Sequence, residues 1–353
     1  MRSSSWLAVW VRAVVVPAGR RGAATWAGCA LIGAVIFGPT AMRPAELTGL
    51  MRQDAGAGAL LGGAWLMIFL PTARMIVRPS VGYLDALPGP RAAARGIAAL
   101  ALVGLQLPWL ALWLVGEGWA GLGVVAATAV IAAGLGRVQL PRGRTRAPVW
   151  TSGGGALWAV HRRALWRRAG DAILRGAGLS VLAGVAAGML VRNNQLAGAE
   201  AGVLGASVIV VMLVPAQLGA GLAALASHRE SAWLAQASGI SRPARIAALA
   251  ATVAGVHLAA TAIAVAAALA IAGDAWLAVI AAGAGLGTAL GEVRAMLVHE
   301  ASPTAAIRLV LGAIVAAAAA VLCLSLLGAA GALAVIALGA VAVLREAPAE
   351  PSR

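Results

Sequence analysis

The chain contains no lysine: all 27 basic residues among its 353 are arginine. A P-loop needs a Lys on the nucleotide phosphates, and a Schiff-base enzyme needs a Lys amine, so neither chemistry is available within this polypeptide. Charge of either sign is scarce, at 11% of residues, with only 12 acids and four His. The two cysteines, Cys29 and Cys323, both lie in apolar runs and imply neither a disulfide framework nor a metal site. Enzyme signatures are missing as well. There is no H-E-x-x-H, no paired acidic motif for a diphosphate-bound metal and no G-x-S-x-G elbow. The expectation is a chain that is not an enzyme and binds no cofactor or metal of its own.

What is present is apolar surface, at 61% of residues. Soluble domains are nearer half apolar and about a quarter charged, so the composition reads as an all-α, polytopic transmembrane helix bundle. About ten spans can be marked, near 24–40, 56–71, 96–115, 118–135, 176–191, 201–226, 246–271, 275–290, 309–327 and 329–344. With both termini in the cytoplasm, 24 of the 27 Arg fall on the cytoplasmic side, and only Arg43, Arg52 and Arg192 face out. This is the positive-inside pattern of a bacterial-type inner membrane protein, so the net charge of +15 points to membrane lipid and not to nucleic acid. Arg12, Arg20 and Arg21 interrupt the N-terminal stretch, which does not read as a signal peptide.

A division follows from repeated features. A first half, 1–136, opens with a Trp/Arg-rich interfacial helix in which Trp6, Trp10 and Val14 are four apart, followed by about four spans. A basic linker, 137–156, leads to a second half, 157–344, that begins with a similar segment (Trp158, Leu165 and Trp166 among Arg162, Arg163, Arg167 and Arg168) and has about six spans. The tail, 345–353, reads as disordered. Trp109, Trp113, Trp119 and Trp276 near outer span ends, and Trp6, Trp26, Trp150, Trp158 and Trp166 near inner ends, are expected to act as interfacial anchors. Four-residue glycine spacings, Gly58/Gly62, Gly184/Gly188 and Gly283/Gly287/Gly291, predict close helix packing and a buried eighth span.

Inside the spans the polar side chains are few: Gln106, Gln217 and His257. His257 is read as a lone imidazole, a neutral hydrogen-bonder between helices. Glu292 falls in a polar loop, 291–308, so no span has an acid near its centre, which argues against proton- or sodium-coupled transport.

Two polar segments between spans, 72–95 and 227–245, echo each other 150 positions apart. Tyr83-Leu84 matches Trp233-Leu234, Gly89 matches Gly239, and Arg95 matches Arg245. Arg229-Glu230, Trp233-Leu234 and Gly239-Ile240-Ser241-Arg242, with Arg78, Tyr83-Leu84-Asp85, Leu87-Pro88 and Arg91 in the first copy, resemble the loop after the second span of ABC-2-type exporter permeases. In that family the loop is a coupling helix that docks on an ATPase subunit. The resemblance implies a membrane subunit of an ATP-driven exporter. Its cytoplasmic ATPase partner would supply ATP and Mg, and Arg229, Glu230, Trp233, Leu234, Arg242, Arg78, Tyr83, Leu84, Asp85 and Arg91 would form the coupling set. The chain departs from the family in having Ser238-Gly239 where a proline is usual, Pro79 where an acid would fit, and four plus six spans where a permease half has six. It reads either as a fused pseudo-dimer or as a protomer that pairs with a second permease chain. A stand-alone secondary transporter or lipid flippase, for which His257 would have to matter, and a non-transport membrane scaffold are the alternatives.

Overall fold

The computed structural model describes residues 3–38, 42–77, 89–137, 153–299, 302 and 304–346. Helix is the only regular secondary structure among them. Among the described residues, seven helical stretches, one of them (107–137) interrupted at Gly118, are long and apolar enough to cross a membrane: 55–77, 107–137, 154–193, 198–237, 242–272, 275–298 and 305–327. The protein is therefore an all-α, membrane-type helix bundle. It divides into two compact units, 1–143 and 144–353.

In the first unit, α1 (Ser3–Trp10), a π-helical turn (Val11–Val15) and α2 (Val16–Phe37) follow one another without a break. The predicted interfacial segment is thus an extension of the first apolar helix. Its stripe of Trp6, Trp10 and Val14 is buried, packed with Ala94. Residues 44–53, between two marked spans, form α3 (Pro44–Gln53), because Pro44 pre-sets the first turn and the Glu46 carboxylate accepts from Arg43 N–H at 3.0 Å. Next come α4 (Ala55–Val77), α5 (Arg91–Leu105), α6 (Leu107–Glu117) and α7 (Leu122–Arg137).

The break between α5 and α6 falls at Gln106 and has a plain cause. Pro108 has no N–H to give the preceding turn and its ring crowds that turn's carbonyls. The chain reverses at Gly118 (φ +62°), just after Glu117. Arg52 of α3 meets Glu117 at 2.6 Å and ties α3 to that turn.

In the second unit, α8 (Gly153–Asn193) and α9 (Gly198–Ala237) have 41 and 40 residues. At 1.5 Å per residue each is about 60 Å long, roughly twice the ~30 Å hydrocarbon core of a bilayer. The amphipathic segment 157–175 is the first half of α8, continuous with its apolar half. Then follow α10 (Arg242–Ala272), α11 (Ala275–Val298), α12 (Ala305–Leu327) and α13 (Ala330–Arg345). The α10–α11 corner is fixed by Asp274, which caps α11 through Trp276 N–H at 2.9 Å and also accepts from Gly198 N–H at 2.6 Å.

Small residues set the helix spacing. A Cβ at Gly184 would sit 1.9 Å from the carbonyl oxygen of Ala264, so α8 and α10 pack backbone to backbone there. Gly188 faces Ala268, and Gly283 and Gly287 face Ala332 and Val335. Gly58 lets α4 close on the Met51 carbonyl of α3, where a Cβ would fall 2.6 Å away, whereas Gly62 has nothing within 4 Å of its Cβ position and marks no contact. The eighth predicted span, α11, packs against α9, α10, α12 and α13 with Leu277, Ala281, Ala284 and Val293 fully buried, as its glycines suggest.

Candidate functional site

Each unit buries a polar centre among its apolar helices. In the first it is Gln106, 1% exposed, at the α5–α6 break. Its Oε1 accepts from Trp65 Nε1 at 3.3 Å and from Thr128 Oγ1 at 3.3 Å. Trp65 stacks on Trp109 at 5.4 Å, and Trp109 meets Trp113 edge to face at 5.9 Å. The carbonyl of Leu105 accepts from Trp26 Nε1 at 3.1 Å. Trp109 and Trp113 are therefore internal, as are Trp6 and Trp10, and do not serve as interfacial anchors. Trp119, Trp166 and Trp276 are exposed and free to do so.

In the second unit the centre is His257 on α10 and Glu292 on α11, whose Nε2 and Oε2 lie 2.9 Å apart. They are 3% and 1% exposed. Two expectations are corrected here: Glu292 is not in a loop, and His257 is not without a carboxylate. α11 runs on to Val298, because Gly285, Thr288, Ala289, Glu292, Val293, Met296 and Leu297 continue one buried helical face past Leu290. Arg294 lies off that face, and its Nε is 4.0 Å from Glu346.

His257 is oriented by its own helix. Its Nδ1 lies 3.1 Å from the carbonyl oxygen of Val253, an atom that only accepts, so Nδ1 carries a proton and donates it. Gly221 on α9 makes room for the carboxylate, since a Cβ there would fall 2.1 Å from Glu292 Oε1. That oxygen is buried and has no hydrogen-bond partner. Gln217, His257, Thr288 and Glu292 line a cavity of about 10 Å³, closed on the α12 side by Ala313 and Ala317. Thr288 spends its hydroxyl proton on the Gly285 carbonyl at 2.8 Å. Gln217 also lines a groove of about 310 Å³ between α8, α9 and α10, where Trp158, Arg162 and Trp166 stand toward the other end.

The stretch 227–237, expected as a loop with a short helix, is the last three turns of α9. The helix stops at Ser238, with Gly239 at φ +69° and Ile240 N–H returning to the Ala235 carbonyl at 2.9 Å. Arg229 and Glu230 are exposed and bond to neighbouring elements of the same unit. Arg229 donates to the carbonyls of His299 (3.2 Å) and Ser302 (3.1 Å), and Glu230 pairs with Arg168 of α8 at 2.5 Å. Arg242 reaches the carbonyl of Glu346 at 3.4 Å. Trp233 and Leu234 are 70% and 50% exposed.

Beside them, buried His161 of α8 and His228 of α9 meet edge to face at 5.8 Å, with His161 Nε2 3.3 Å from Ser231 Oγ. That contact between histidines 67 positions apart leaves no trace in local sequence pattern. Arg78, Tyr83, Leu84 and Asp85 lie outside the described residues, and Arg91 is the exposed first residue of α5. Among the described residues, no group of three or more His, Cys, Asp or Glu is placed to hold a metal ion. No protein-family model, curated protein or solved structure matches the chain.

Proposed function

We propose that the chain is the membrane-spanning subunit of an ATP-driven exporter, worked by a separate cytoplasmic ATPase that grips the C-terminal end of α9. In this reading the chain crosses a bacterial-type inner membrane about ten times in two repeated halves, with both termini in the cytoplasm. The exposed pair Trp233-Leu234 is the observation that carries it. Its exposed neighbours Arg229 and Glu230 bond to His299, Ser302 and Arg168 of the same unit, and Arg229, with two backbone carbonyls, orients the helix end for a partner. An aromatic and an aliphatic side chain on such a firm platform make an anchor for a soluble protein. α9 is one helix from Trp233 through Gln217 and Gly221, so a push at its end reaches the buried centre directly. Pro215, inside α9, removes a helical hydrogen bond just beyond Gln217 and gives the helix a place to bend.

The test is affinity purification of the full chain from its native membranes in mild detergent. A stoichiometric ATPase is expected with the unaltered chain and lost with Trp233→Glu, while Arg229→Gln weakens the association only by loosening the platform. Absence of any ATPase, under conditions that preserve other membrane complexes, would overturn the proposal.

A stand-alone carrier is the second reading, favoured by the carboxylate partner of His257. Membrane-embedded ionisable pairs are what ion- or proton-coupled transport requires. Transport by the purified chain in proteoliposomes without ATP, abolished by His257→Leu, would decide for it.

A further inference from the structure

We propose that His257 and Glu292 form a one-proton binding site within the second unit, opening on a water-sized cavity beside Gln217 and Thr288. The inference does not rest on the ATPase reading and holds with either energy source.

Val253 offers only a carbonyl to His257 Nδ1, so Nδ1 keeps its proton. The 2.9 Å gap between Nε2 and Glu292 Oε2 then holds one proton, attached either to the imidazole or to the carboxyl. Both arrangements have zero net charge, and the proton belongs to the pair rather than to either residue. A second observation points to an exchangeable occupant. Glu292 Oε1 is buried without a partner, although a fixed structural carboxylate in an apolar interior requires its lone pairs to be met. The cavity it lines, about 10 Å³, is at the lower limit for a single water molecule, and Gln217 supplies a second polar wall.

The surroundings isolate this proton. Facing Glu292, α9 presents Gln217 and Gly221, α12 presents Ala313 and Ala317, and α10 presents His257 as its titratable group. Asp274, Arg294 and His299 on or beside α11 lie outside its buried face. Glu200, His228, Arg229 and Glu230 fall toward the ends of α9, Arg242 and Arg245 at the start of α10, Arg308 at the start of α12, and Arg345 at the end of α13. On release, the shared O–H or N–H bond breaks and the proton passes to the cavity water and on to bulk base. The carboxylate left behind takes an N–H of Gln217 in its place. A movement of α9, which carries both Gln217 and Gly221, would therefore load and unload the site.

Infrared difference spectroscopy on the full chain in lipid nanodiscs tests this. The carboxyl and imidazole absorptions that disappear in Glu292→Gln and His257→Gln are expected to change together as the pH of the medium is raised. A matched potentiometric titration should count one more proton per chain for the unaltered protein than for Glu292→Gln. Should Glu292→Gln fail to fold, His257→Gln serves instead, and it is expected to lose the same proton from the count. A proton count no higher than that of Glu292→Gln, or a signal that responds to sodium and not to pH, would overturn the proposal.

Discussion

The two units meet the same physical demand, a polar group buried among apolar helices, with different chemistry. The first surrounds an amide with aromatic rings: Gln106 offers its oxygen to Trp65 and Thr128, and none of the three titrates in the physiological range. The second places an imidazole and a carboxylate among alanines and glycines, with one oxygen left open to a small cavity. An amide centre has one state and fastens the broken α5–α6 helix in place. An ionisable pair has several states, and the balance among them depends on how closely α9 approaches. The comparison teaches that the first unit is built to hold still around its polar group and the second to respond through it.

Removing half of the ionisable pair should give the largest effect. Glu292→Ala leaves His257 facing an emptied cavity, and breaking a buried pair costs about 3–5 kcal/mol, read as a lower denaturation midpoint in detergent. The double variant His257→Leu with Glu292→Leu should recover most of that loss, because a well-packed apolar replacement of both partners is close to neutral. A double variant as unstable as the single one would show that packing, and not charge, holds α10 to α11.

Next in size is Gln106→Leu. It strands the indole N–H of Trp65, at about 1–3 kcal/mol for a buried group left unsatisfied and without any dependence on pH, while the Thr128 hydroxyl keeps the Val125 carbonyl at 2.9 Å. A pH-dependent loss would erase the contrast between the two centres. Smallest is Arg168→Gln, which breaks an exposed ion pair on the outside of α8 and α9. The unfolding midpoint should not move, since exposed pairs contribute little.

Fold class was legible from composition, and Gln106, Gln217 and His257 were legible as polar residues within apolar runs. All three prove to be buried and to line or form the polar centres. Glu292 was not legible as part of the site. Read locally, it stands among Arg294, His299 and Ser302 and looks like loop, and what buries it is an imidazole 35 positions earlier on another helix. A helical phase carried from Ala281 through Thr288 to Met296 was the one local signal that pointed inward. Tryptophan misled for a related reason. An indole suits both a lipid interface and a helix interior, and only the neighbours of Trp109 and Trp113 decide between them. The segment 227–237 misled because Arg, Glu and Ser signal solvent without saying whether the backbone is looped or helical.

Gly221 has an evolutionary consequence. Its missing side chain is the space that Glu292 Oε1 occupies, so the two positions are not free to vary independently. In any descendant of this chain that keeps glutamate at 292, residue 221 should remain glycine, and alanine there should become acceptable only after 292 has shortened. The order of those two changes along a lineage would record when the acid was given up.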